Sequence, residues 1–492
     1  MSETEDTKNG APEKPQDNIV TTRHTILVKE KPLHYTVTCG TMLLKEEAEK
    51  DGKTEGEKPR ASIFFTAYKL EDPKDPAKRP ITFSFNGGPG SSSVWLHMGL
   101  LGPKRVLLDD EGFPLPPPYK LVENDYTLLT HTDLVFIDPV GTGYSRMLPG
   151  EDVHDYHSFS KDIESVGDFI RLFCSRYERW ASPKYLIGES YGTTRAAGLA
   201  GYLQERHGLY LNGVMLVSSI LNFITARFTP GNDLPYLLFL PSYAATAWYH
   251  NRLPADLQSK PLVEVLEEVE QFAIQEYLPA LMAGDVLPLE RRRALRHALS
   301  RYTGLTPAYI EQTDLRINIH RFVKELLRTE GRTVGRLDSR YKGYDRDSAG
   351  ENHEHDPSYT AIAGAYAATF NDYVRRELDY ESDLPYEILS FKVFPAWKYD
   401  RHQNEFVNVG ETLRQAMTAN THLRVHVANG YYDLATPYFA TEYTFNHLGL
   451  PKELRANIEM SYYEAGHMMY VHKHSLEKLS QTLRAFVSRK AS

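Results

Sequence analysis

Ser190 stands in the pentapeptide Gly188-Glu189-Ser190-Tyr191-Gly192, directly after the apolar run Tyr185-Leu186-Ile187. A short strand, then Gly-x-Ser-x-Gly, then a helix-forming stretch is the pattern of a nucleophile elbow. The two glycines leave room for a strained turn that lifts the serine hydroxyl above a parallel sheet. Tyr191 to Arg206 reads as the helix that follows, its N-terminal amides at the reaction centre. The pentapeptide alone is a weak signal, because Gly/Ser turns are common. Three further segments give it weight.

Ile81 to Gly90, ITFSFNGGPG, reads as an apolar strand ending in glycines whose amides can face a ligand. Amides so placed can hold the oxyanion of an attacked carbonyl. Leu423 to Asp433 reads as a strand running into Asn429-Gly430, with Asp433 just beyond. Ile458 to His467 is a similar run ending at Gly466-His467. The chain order Ser190, Asp433, His467 is the nucleophile, acid, base order of a hydrolase built on late strand ends. In that order His467 accepts and returns the proton of Ser190, and Asp433 fixes the imidazole tautomer.

Taken together, NGGPGSSS, GESYG, NGYYD and AGHM resemble the serine carboxypeptidase family of α/β-hydrolases, over residues 81 to 469. The resemblance implies an α/β fold with a central mixed, mostly parallel sheet and an inserted helical cap. It implies a serine-type carboxypeptidase that hydrolyses C-terminal peptide bonds through an acyl-enzyme, without cofactor or metal. Ser190, Asp433 and His467 match the triad, and the backbone amides of Gly88 and Tyr191 match the oxyanion hole. Asn86, the Gly87 amide and Glu189 match positions that bind the peptide's C-terminal carboxylate. Met468 matches a residue of the leaving-group pocket. An esterase or acyltransferase on the same fold is the competing expectation, and a catalytically idle binding scaffold a further one.

The chain departs from the family at one telling place. A second Glu that pairs with the elbow Glu is usual a little before a Gly-Pro; here Leu100 occupies that place. A lone buried carboxylate facing a substrate carboxylate is repulsive unless one is protonated or a cation intervenes. His97 and Arg195 are the nearest candidate cations, Arg195 also being a candidate for a structural ion pair. The usual Pro after His-Met-x is replaced by Tyr470.

With 492 residues the chain can bury a large core, and a formal charge of −9 with interspersed signs gives no reason to expect a nucleic-acid partner. No run is long and apolar enough for a membrane span. Cys39 and Cys174 read as two buried thiols, and the polar N-terminus lacks a signal-peptide core, so a cytoplasmic location is expected, or a secreted one if a signal has been trimmed. The partner expected is a peptide substrate.

Residues 1–20 read as a flexible tail, 21–222 plus 385–492 as the hydrolase core, and 223–384 as the helical cap. Within the core, His24 to Lys45 reads as paired strands and Glu46 to Arg60 as a charged loop. Within the cap, the acidic and histidine-rich stretch Asp338 to Asp356 reads as a solvated loop rather than a metal site. Arg336 and Arg340, beside it, are placed to reach the active-site mouth.

Overall fold

A computed structural model describes residues 15–399, 402 and 404–489. The chain opens with three long antiparallel strands, β1 (Asn18–Val28), β2 (Lys31–Lys50) and β3 (Lys53–Leu70). Six shorter strands follow: β4 (Ile81–Phe85), β5 (Asp133–Ile137), β6 (Lys184–Ser190), β7 (Gly213–Ser219), β8 (Arg424–Gly430) and β9 (Ile458–Tyr463). They form one sheet in the order β1-β2-β3-β5-β4-β6-β7-β8-β9, with the short strand Arg146–Met147 paired on β3. β3 runs antiparallel to β5, and every neighbouring pair from β5 to β9 is parallel.

The parallel strands read as apolar runs because both faces of the sheet are covered. On β5, Leu134 and Phe136 enter one core while Val135 and Ile137 enter the other. On β6, Tyr185 and Ile187 oppose Leu186 in the same way. This two-residue alternation needs a helical layer on each side. On one side the helix Phe159–Arg176 buries Ile163, Val166, Ile170 and Phe173 at helical spacing, and Ser158 caps its start by accepting from the Lys161 amide.

Strand order reverses at β4. The next strand, β5, lies on one side of it, and β6 onward lie on the other. A crevice opens beyond the carboxyl ends at such a switch point. β4 and β6 deliver Asn86 and Ser190 into it.

Two local expectations need correction. Residues Glu46 to Arg60 are not a loop but the outer arms of the β2–β3 hairpin, in register from Lys45↔Pro59 to Lys50↔Lys53. The turn is Asp51-Gly52 with φ of 52° and 73°, the left-handed pair of a two-residue hairpin turn. High charge does not argue against a strand whose side chains meet water. The expected tail also ends earlier than residue 20, since β1 begins at Asn18; residues 1–14 lie outside the described residues.

Between β7 and β8 the helices Leu234–Tyr249, Leu262–Phe272, Leu289–Thr303 and Ile319–Glu325 pack around a third core. Tyr432, Leu434 and Tyr438, from beyond β8, complete it. The helix Pro357–Arg376 lies in the same stretch of sequence but packs on the sheet. Its Tyr366, Phe370 and Tyr373 share a cluster with Tyr68, Leu96 and Phe136.

Cys39 and Cys174 are both buried and unlinked. Burial pushes the Cys39 thiol up to about 12 and the Cys174 thiol to about 11, so neither carries much thiolate near neutrality. Iodoacetamide should therefore label neither cysteine in the folded protein. Mass spectrometry after denaturation should find both labelled, with or without prior reduction. Labelling of the denatured chain that requires reductant would mean a disulfide instead.

Candidate active site

β6 ends on Ser190, held at φ 60° and ψ −130° as the residue before the helix Tyr191–His207. A non-glycine residue there costs about 1–3 kcal/mol, which the surrounding packing must supply. The flanking glycines permit that packing. A Cβ on Gly188 would lie 2.1 Å from the Gly192 oxygen, and one on Gly192 would lie 2.9 Å from the Phe85 oxygen. Strand, turn and helix are thus pressed backbone to backbone.

Asp433 lies in the loop after β8 and His467 in the loop after β9. Asp433 is fully buried, and its Oδ2 is 2.7 Å from His467 Nδ1. The amides of Ala435 and Thr436 donate to Oδ1 at 2.7 and 3.0 Å, and the Thr436 hydroxyl donates to Oδ2 at 2.8 Å. The carboxylate is therefore locked in orientation, and its bond to Nδ1 leaves Nε2 as the basic nitrogen. Thr436 was not foreseen; only its place three residues after the acid, in an Asx-type turn, could have marked it. Burial disfavours the imidazolium of His467. The charge and hydrogen bond of Asp433, with help from Glu189, outweigh that and leave its pKa raised, while Arg336 pulls it down.

The insertion supplies backbone support to both loops. The Leu337 oxygen accepts from the His467 amide at 2.7 Å, and Asp338 Oδ2 accepts from the Gly466 amide at 3.1 Å. The Arg336 oxygen accepts from the Leu434 amide, and the Ser339 amide donates to the Tyr432 oxygen.

Two cavities meet at Ser190. One, of about 360 Å³, is lined by Asn86, Gly87, Glu189, His467 and Met468. The other, of about 590 Å³, is lined by Tyr191 and by residues of the insertion. Gly88, at φ 105°, borders both. The residues matched to carboxylate and leaving-group binding therefore share one cavity. The two matched to the oxyanion hole stand beside Ser190, and Asp433 stands behind His467.

Glu189 is buried. Asn86 Nδ2 donates to its Oε1 at 3.0 Å, and Asn86 Oδ1 accepts from the Leu96 amide at 3.1 Å. Desolvation pushes Glu189 up to about 7, against the opposing pulls of His467, the Tyr470 hydroxyl and Asn86. Leu100, where a partner Glu was expected, is buried in the core and lines neither cavity. Tyr470, which lines neither cavity, is instead the group that lies near Glu189. Gly99 makes room for it, since a Cβ there would lie 2.5 Å from both the Tyr470 ring and the Tyr366 hydroxyl.

Neither candidate cation is free to meet a substrate carboxylate. His97 is buried against Phe136 with ring centroids 4.1 Å apart, and its Nε2 is 2.6 Å from the Tyr68 hydroxyl. Desolvation lowers its pKa to about 3, so it is neutral. Arg195 forms a buried two-bond pair with Asp162 at 2.8 and 3.0 Å and donates to the Asn86 oxygen at 2.6 Å. It positions Asn86 rather than substrate. Arg340 is likewise buried against Asp338, whereas Arg336 does line both cavities. In the loop after them, Asp345, Glu354 and His355 bring ligand atoms within 4.8 Å of one another, but Lys324 already ion-pairs Asp345.

Asp162→Ala would strand the Arg195 charge inside the protein. We expect it to lower unfolding stability by about 3–5 kcal/mol in urea titrations. A loss under about 1 kcal/mol, the scale of an exposed pair, would contradict this account.

The chain matches the family model described as serine carboxypeptidase over residues 52–483. It is 33% identical over 156 residues to a carboxypeptidase Y homolog of Arthroderma benhamiae, covering 31% of this chain and 28% of that one. It is 28% identical over 185 residues to serine carboxypeptidase-like 33 of Arabidopsis thaliana, covering 35% of this chain and 33% of that one. The matched stretches thus span about a third or less of these curated relatives. In fold it is similar to KEX1, a prohormone-processing carboxypeptidase from Saccharomyces cerevisiae, with a TM-score of 0.54, 17% identity, and coverage of 92% of this chain and 90% of that one. The match over most of its length, on an α/β-hydrolase sheet with this arrangement of loops, places the chain in the serine carboxypeptidase family.

Proposed function

We propose that this protein is a serine-type carboxypeptidase that removes C-terminal residues through an acyl-enzyme, with Ser190, His467 and Asp433 as its triad. The observation that carries the reading is the buried Asp433–His467 hydrogen bond beside a serine held at positive φ on a cavity rim. His467 Nε2 takes the Ser190 proton as Oγ attacks the scissile carbonyl, and the amides of Gly88 and Tyr191 hold the oxyanion. The imidazolium returns its proton to the leaving amine. Water, activated by the same base, then releases the acyl group. Two unlinked buried thiols fit a reducing compartment.

Asn86, the Gly87 amide and Glu189 receive the terminal carboxylate of the leaving residue. Glu189 must be protonated to donate to it, because two carboxylates repel. With its pKa raised to about 7, Glu189 is mostly neutral below that pH and ionised above it. No second carboxyl is then required: burial supplies the proton affinity that a partner Glu would otherwise confer. KM for peptides with free C-termini should rise as pH passes through about 7. His467 must be neutral to act as base, so kcat should fall as pH drops. Amidated or ester substrates should lack the KM rise.

Three variants test the scheme. Ser190→Ala should stay folded, lose fluorophosphonate labelling and lose several orders of magnitude in turnover; retention of more than about a tenth of the activity would refute the nucleophile. Glu189→Gln donates without needing a proton, so it should flatten the pH dependence of KM while sparing kcat at neutral pH. Tyr470→Phe removes a hydroxyl that holds the Glu189 pKa down, so the KM rise should move to higher pH. An unchanged KM profile in both variants would show that Glu189 does not hold the carboxylate, and the ester-hydrolase reading would then take precedence.

A further inference from the structure

The larger cavity also borders Ser190, is lined by neither Asn86 nor Glu189, and differs from the first in charge. Among the described residues its lining carries Arg227, His320 and Arg336 beside two tyrosines, and no carboxylate. Phe223, Phe228, Phe239 and Ile319 give it an apolar floor. The Arg336 backbone is clamped at both ends, its amide donating to Asp356 Oδ1 at 3.2 Å and its oxygen accepting from Leu434. Its guanidinium has no hydrogen-bond or ion-pair partner among the described residues. Asp356, which lines the smaller cavity, is engaged by the amides of Arg336, Leu337 and Ser358 and by the Ser358 hydroxyl. Other acids nearby are paired elsewhere: Asp233 takes two bonds from Arg316, Asp345 pairs with Lys324, and Glu351 pairs with Arg321. Arg227 is exposed, rests on the Phe223 ring, and among the described residues donates only to the Tyr399 hydroxyl, at 3.3 Å. Partial desolvation, with the nearby His353 and Arg336, lowers the pKa of His320.

Two guanidinium groups over an apolar floor, unopposed by any acid of the larger cavity's lining among the described residues, favour a side-chain carboxylate whose methylenes can lie on that floor. If the terminal carboxylate of a peptide lies in the Asn86 and Glu189 cavity, the residue that donates the scissile carbonyl points into this one. We infer that the larger cavity is an acyl-side subsite selective for acidic residues, with Arg336 and Arg227 binding the carboxylate of a Glu or Asp just before the cleaved bond. The assignment of sides rests on the carboxypeptidase reading, but recognition of the side chain does not require turnover.

The test is therefore made by binding. Ser190→Ala is titrated calorimetrically with blocked dipeptide amides that carry Glu or the isosteric Gln at the acyl-side position. Having no free terminus, these ligands offer the side chain as their only carboxylate. The Glu peptide should bind about tenfold tighter at low salt, the scale of one charge-assisted hydrogen bond, and the advantage should shrink as salt rises. Adding Arg227→Gln and Arg336→Gln together should bring the ratio to about one while Gln-peptide affinity persists, which also reports an intact fold. Arg227→Gln alone, at an exposed position, should lower the ratio part of the way, and Arg336→Lys should keep most of it. Equal affinity for both peptides in the parent, or a preference that survives the double change, overturns the inference. So does a double change that weakens only peptides with free C-termini, since the arginines would then serve the terminal carboxylate. Failure of the carboxypeptidase reading would show separately, as absence of turnover by the unaltered serine enzyme.

Discussion

The buried pair between Arg195 and Asp162 organises the centre of this molecule. Asp162 comes from the helix that covers one face of the sheet, and Arg195 from the helix that starts at the elbow serine. Through its third contact Arg195 holds the main chain of Asn86, where β4 ends. The Asn86 side chain in turn bonds to Glu189 and to the Leu96 amide. One guanidinium thus links two helices, a strand end and the carboxyl group beside the nucleophile. A charge that deep persists only when every donor finds an acceptor, so the pair enforces geometry more than it adds net stability.

That geometry sets up a contest between two titrating groups. Glu189 and His467 each shift the other toward the charged form, and both are buried. In the proposed reaction Glu189 serves substrate when it carries a proton, whereas His467 serves as base when it does not. The chain handles the conflict with one carboxyl and two tyrosines, Tyr470 and Tyr366, packed into the space that Gly99 leaves. A phenol stays neutral throughout the working range, so it can stand near Glu189 without adding a charge that a bound carboxylate would have to face.

Much of the site was legible in the sequence because its chemistry sits in contiguous words at strand ends. The elbow glycines, the glycines after β4, and the loops carrying Asp433 and His467 are each set by local backbone needs. What the sequence concealed depends on contacts between distant segments. Arg195 and His97 both stood as candidate cations, Arg195 also as a structural ion pair; packing reveals that Asp162 consumes the first and that the second is neutral against Phe136. Arg336 and Arg340, four residues apart, diverge because Asp338 claims only the second. The β2–β3 hairpin was missed for a different reason. Its charged arms mask a turn that Asp51-Gly52 announces, and composition was weighed above turn chemistry.

The four-residue strip Arg336 to Ser339 joins the insertion to the loops carrying Asp433 and His467 through main-chain bonds and Asp338. Insertions are usually the exchangeable parts of a fold, because a rigid sheet does not notice what is spliced between its strands. Here the sheet would notice. Swapping the whole segment for one with another pocket would remove the acceptors of the Gly466 and His467 amides along with the old lining. Selectivity can therefore be altered with least disturbance by changing side chains around a backbone strip that stays in place. In protein engineering terms, the safe splice points lie on either side of that strip, not at the ends of the insertion.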